Sequence, residues 1–114
     1  MAQRDERLYL TEILEAIDRV LEYTTAGRAF FFGDPKTQDA VIRNVEIMGE
    51  AGRSLSAGIR DAHPEVPWNK IAGTSDRVIQ QYFNVDLDIV WEAVQRDLPA
   101  LKQIVGAALN EPSA

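Results

Sequence analysis

Cysteine is absent from this sequence, and histidine occurs once, at His63. The first absence removes disulfides, thiolate metal sites and cysteine nucleophiles, and it fits a reducing compartment. The second excludes a multi-histidine metal site, so neither a metal nor another cofactor is expected. Basic residues are the minority charge: 12 Lys and Arg stand against 18 Asp and Glu, a formal net charge of -6 that opposes non-specific attraction to nucleic acid or to an anionic membrane face. Long apolar runs are also missing. The stretch MAQRDERLYL has no apolar signal region, and no segment approaches the ~18 apolar residues of a membrane span, so a soluble, cytoplasmic protein is expected. At 114 residues and 46% hydrophobic, the chain is long enough for one core and too apolar for a disordered segment.

What is present has a helical rhythm. From about Arg4 to Thr24, the residues Leu10, Ile13, Leu14, Ile17, Val20 and Leu21 recur at spacings of three and four, which predicts an amphipathic helix ending at Thr24-Thr25-Ala26-Gly27. The connector Arg28–Gly33 carries three consecutive phenylalanines, more apolar surface than a soluble monomer leaves bare. It reads either as a loop tucking aromatics under the helix ends or as part of a subunit contact. Asp34 and Pro35 supply the N-cap and first residue of a second long helix, running to about Asp61 on a ladder of Val41, Val45, Met48, Leu55 and Ile59. Gly49, Gly52 and Gly58 each weaken that helix by about 1 kcal/mol relative to Ala, so they predict close approach of another helix.

Pro64 and Pro67 break the chain before a third helix, Trp68 to about Phe83. Asp86 can cap a fourth, carrying Leu87, Val90, Trp91, Val94, Leu98, Leu101 and Val105. Pro99 lies inside that pattern and implies a kink or break near Asp97, with a last segment to about Leu109. No strand-like alternation appears. The expected fold is all-α: an up-and-down antiparallel bundle of four main helices plus a C-terminal segment, one domain over 1–110 with a frayed tail at 111–114. The residual apolar surface predicts a homodimer.

Residues able to carry chemistry are few. His63 sits in a Pro-bounded connector, where it reads as a solvated or cap-bonded imidazole, with a general base as the alternative. Glu46 and Glu50 form a like-charged i,i+4 pair that Arg43 or Arg53 would relieve, and an ion pair is the simpler reading than a metal site. The third helix gathers Ser75, Asp76, Arg77, Gln80, Gln81 and Tyr82. At 100° per residue, Ser75 and Tyr82 lie about 20° apart, whereas Gln80 points about 140° from Ser75.

Seven blocks occur in an order and spacing that resemble the HepT-like family: Gln38-Asp39-Ala40-Val41-Ile42-Arg43-Asn44, Met48-Gly49-Glu50-Ala51, His63-Pro64-Glu65-Val66-Pro67-Trp68, Asp76-Arg77-Val78-Ile79 with Tyr82-Phe83, Val85-Asp86, Val90-Trp91 and Asp97-Leu98-Pro99-Ala100-Leu101. That family was long described as the substrate-binding companion of MNT-type nucleotidyltransferases. Its members are now understood as helical, dimeric toxins of HepT/MntA toxin–antitoxin systems. The resemblance implies a ribonuclease with an Arg-x4-His-x-Tyr motif on the third helix, silenced when the nucleotidyltransferase antitoxin adds AMP to the Tyr.

Laid on this sequence, the motif's Arg falls at Ser75, its His at Gln80 and its Tyr at Tyr82. Gln has no titratable proton and Ser no charge, while loss of a general acid–base alone costs typically ~10²–10⁴ in rate. Arg77 remains two residues beyond the motif's Arg position. Between Arg60 and Tyr82, Arg60, Lys70 and Arg77 are balanced by Asp61, Glu65 and Asp76, which leaves no net positive charge for RNA. The expected function is therefore that of a HepT-like toxin-family protein with a degenerate nuclease site. It would bind a partner nucleotidyltransferase and present Tyr82 for modification. An active ribonuclease with an unorthodox site using His63 or Arg77, and a non-catalytic helical adaptor, are the alternatives.

Overall fold

The computed structural model describes residues 2–54, 68–83 and 86–110, and among them every regular element is helical. Helix α1 spans Ala2–Tyr23. Its three-and-four ladder does what the spacing predicts: Leu10, Ile13, Ile17 and Val20 are at most 1% exposed, with Ala16 filling the same stripe. Each such aliphatic side chain contributes roughly 1.5–3 kcal/mol by leaving water. The helix stops where Thr24 Oγ1 donates to the carbonyls of Val20 and Leu21, and Gly27 turns the chain at φ +100°.

The Arg28–Gly33 segment is not a loop but a short helix, α2. The Phe31 N–H closes its first turn on the Gly27 carbonyl, and Gln38 Nε2 donates to the carbonyls of Phe31 and Phe32 at the far end. Helical phase then sorts the three aromatics. Phe31 is fully buried against Trp91, Phe32 is half-buried, and Phe30 remains half-exposed.

Helix α3 runs Pro35–Ser54, opening at Asp34, whose carboxylate accepts from the Thr37 hydroxyl at 2.5 Å. The expected extension to Asp61, with Leu55, Gly58 and Ile59, lies outside the described residues, as does the 111–114 tail. Helix α4 is Trp68–Phe83. It meets α3 in antiparallel register, since Asp39, Gly49 and Gly52 of α3 face Tyr82, Ser75 and Ile71 of α4.

Two of the glycines explain themselves here. A Cβ on Gly49 would lie 2.8 Å from the Ser75 Cβ, and one on Gly52 would lie 3.2 Å from the Ile71 Cγ2. Gly49→Ala is therefore expected to destabilise by about 1–2 kcal/mol, because overpacking outweighs the gain in helix propensity. Gly106→Ala, with nothing within 4 Å of the new methyl, should instead stabilise by up to about 1 kcal/mol. Urea melts of the two variants check the opposite signs.

Asp86 caps α5 (Leu87–Glu92), accepting from the Ile89 N–H. Pro99 produces neither a sharp break nor an interruption. A π-helical turn over Ala93–Asp97 leads directly into α6, Leu98–Asn110, and the Leu98 N–H reaches back to the Ala93 carbonyl. Proline offers no N–H to the carbonyl four residues earlier and its ring crowds that carbonyl, so the wider turn absorbs the conflict. Helix α6 packs antiparallel on α1, joined by Lys102–Asp18 at 2.8 Å and by Arg7 donating to the Leu109 carbonyl. The core runs through all these elements, with Met48, Val94, Leu98, Leu101 and Val105 closing on the α1 stripe.

Candidate functional site

Helix α4 divides its polar residues between two sides. Ile71, Ser75 and Tyr82 recur at helical spacing and turn toward α3. Ser75 is fully buried there, its hydroxyl donating to the Ile71 carbonyl at 2.9 Å, so it belongs to the α3–α4 seam. Arg53 of α3 reaches over this seam to pair with Asp76 at 3.0 Å. Arg53 thus engages α4, while Arg43 approaches Glu46 at 3.9 Å. Gln80 is exposed on another side of the helix. Ser75 and Gln80 are consequently not brought together within this chain.

Tyr82 is half-buried, and its phenol O–H donates to the Asp39 carboxylate across 43 residues of sequence. Its ring stands edge-on to the Phe83 ring, 5.7 Å away, and Phe83 is 71% exposed. The hydrogen bond to Asp39, then burial, then the negative charge of Asp39 all push the Tyr82 phenol above its ordinary value. A phenol that holds its proton more tightly when folded contributes stability below pH about 10, and the contribution is lost as pH rises beyond that. Asp39 lies in one of the family-like blocks, but nothing in its spacing announces a partner on α4.

Arg77 occupies a different setting. It is exposed and lines a cleft of about 120 Å³ with Thr74 and Val78 of α4, Ile89 and Glu92 of α5, and Ala93, Arg96 and Asp97 of the π-helical turn. Arg96 approaches Glu92 at 3.6 Å, and two arginines against two carboxylates leave the cleft without net charge. His63 lies outside the described residues. Among the described residues, no three His, Cys, Asp or Glu side chains are grouped as metal ligands, and no helix is long and apolar enough to cross a membrane.

The buried polar residue that composition least suggests is Asn44, 6% exposed in α3. Its side chain accepts from Arg19 Nε at 2.7 Å and donates to the Ala40 carbonyl at 2.9 Å, tying α1 to α3.

These features define a small protein that is helical throughout its described residues, with Tyr82 and its Asp39 partner held at one end of the α3–α4 pair. A family model described as Ribonuclease HepT-like matches residues 13–108. The chain belongs to that HepT-like ribonuclease family. It is 41% identical over 101 residues to a Thermococcus cleftensis protein named "Probable ribonuclease HepT", covering 88% of this chain and 92% of the relative. It is 39% identical over 110 residues to the Methanocaldococcus jannaschii protein named "Gamma-glutamylcyclotransferase and putative RNase", covering 96% of this chain but only 50% of that relative. No solved structure matches the chain significantly.

Proposed function

We propose that this chain is a toxin-family member of a toxin–antitoxin pair whose ribonuclease motif is degenerate, and whose remaining role is to engage, and be modified by, an MNT-type nucleotidyltransferase. The observation that carries this reading is the contrast among the three motif positions. Ser75 is sealed into the α3–α4 seam and carries no charge, Gln80 carries no titratable proton, and Tyr82 alone retains the motif's group. Metal-independent RNA cleavage needs a proton carrier and a cation beside the developing phosphorane charge, and positions 75 and 80 supply neither.

The protein acts in the cytoplasm as a homodimer in this reading. The exposed Phe30, 50% accessible, is apolar surface that a second copy would cover. Arg77 as the centre of an active nuclease is disfavoured by the neutral charge of its cleft.

Tyr82 is the acceptor: its phenol oxygen meets the α-phosphate of ATP, in line with the departing pyrophosphate. The test incubates the native chain and its Tyr82→Phe variant with ATP and a candidate partner nucleotidyltransferase, and weighs the products by mass spectrometry. One or more AMP additions to the native chain and none to Tyr82→Phe are expected. Equal addition to both would refute the assignment.

A further inference from the structure

We propose that Asp39 is the general base for nucleotidyl transfer onto Tyr82, so that the acceptor chain brings its own proton acceptor to the reaction. This rests on the reading of Tyr82 as the modified residue. The geometry supplies the rest. The Tyr82 O–H already points at a carboxylate oxygen of Asp39, and Asp39 is exposed near the start of α3, where a proton it receives can pass to water.

Both groups belong to one chain and are held by the antiparallel α3–α4 seam, whose close contacts at Gly49 and Gly52 fix the register that brings positions 39 and 82 together. Phe83, 71% exposed beside the Tyr82 ring, leaves this end of α4 open to a visiting active site.

The step balances. The phenol oxygen forms a bond to the α-phosphorus of a nucleoside triphosphate, and the bond from that phosphorus to the bridging oxygen breaks. Pyrophosphate leaves with its electron pair, and the phenol proton moves to Asp39 and then to solvent. A base is needed because a phenol keeps its proton through the neutral range, and the Asp39 contact and partial burial push this one further the same way. The same contact that makes Tyr82 reluctant to ionise alone makes its proton easy to transfer as the new bond forms.

A merely positional Asp39 would behave differently. Asparagine accepts the same hydrogen bond through its amide oxygen and fills nearly the same volume, yet it cannot take the proton. Asp39→Asn therefore preserves the orientation of Tyr82 and removes the base.

The experiment measures AMP incorporation by the full-length native chain, Asp39→Asn and Tyr82→Phe with ATP and the partner nucleotidyltransferase from pH 6 to 9, with thermal melts to check folding. The native maximal rate should be nearly level over this range. Asp39→Asn should be slower by about 10²-fold at pH 7 with the KM for the acceptor chain unchanged, and its rate should climb about tenfold per pH unit as hydroxide replaces the carboxylate. Native rate and pH profile in Asp39→Asn, with Tyr82→Phe unmodified, would overturn the base role alone. Full modification of Tyr82→Phe would overturn the acceptor reading, and the base role with it.

Discussion

Phe31→Ala is expected to remove about 3–5 kcal/mol of folding stability, a large share of the 5–15 kcal/mol typical of a small domain. Phe31 is fully buried, with its ring 5.5 Å from that of Trp91 and 5.8 Å from that of Phe32. Truncation would empty the contact through which α2 is anchored to α5, and neither short helix has enough residues of its own to hold shape without packing. Phe30, half-exposed one residue earlier, should tolerate the same change with a loss of no more than ~0.5 kcal/mol. Chemical denaturation of the two variants separates them. Similar midpoints would mean that the burial assigned to Phe31 is wrong.

The second large effect concerns ribonuclease chemistry. Ser75→Arg combined with Gln80→His is expected to raise RNA cleavage by ~10²–10⁴ over the native chain, with little gain from either change alone, because the cation and the proton carrier serve one transition state. The two substitutions meet very different surroundings. Position 80 is exposed and accepts an imidazole freely. Position 75 is fully buried beneath Gly49, so an arginine there must lead its charge out past Arg53 or cost folding stability. Since the two positions lie on different sides of α4, the restored activity should depend on a second copy completing the cleft, and it should fall on dilution. Cleavage assays on the native, single and double variants over a concentration series provide the measurement. Robust cleavage by the native chain would overturn the degenerate-site reading, and a folded, dimeric but silent double variant would mean that the cleft is lost as well.

The helices were legible where one local rule dominated. The α1 ladder, the Asp86 cap and the Trp68–Phe83 span all follow from apolar phase and capping chemistry within a few residues. The Phe run was opaque because three identical residues carry no phase, so nothing in the sequence says that the middle one is inside. Pro99 announced a disturbance but not its form, since a proline conflict is met equally well by a kink, a break or a wider turn.

The site was less legible than the fold for a related reason. Ser75 reads as one more polar residue in a polar segment until it is set beside Ile71 and Tyr82 at spacings of four and seven, the signal by which its burial could have been found. Gly49 and Gly52 did signal a close neighbour, without naming it. The meeting of Asp39 with Tyr82 is tertiary, and a carboxylate at the start of one helix gives no hint of a phenol at the end of another.

The turn at Gly27 has a stereochemical consequence. With φ at +100° and ψ near 176°, its backbone is the mirror image of the ordinary extended conformation. Every L residue is strained there whatever the space around it, whereas a D residue would find the conformation natural. The link between α1 and α2 is therefore a point at which the fold selects for handedness and not for size, and glycine is the one genetically encoded residue that satisfies both hands.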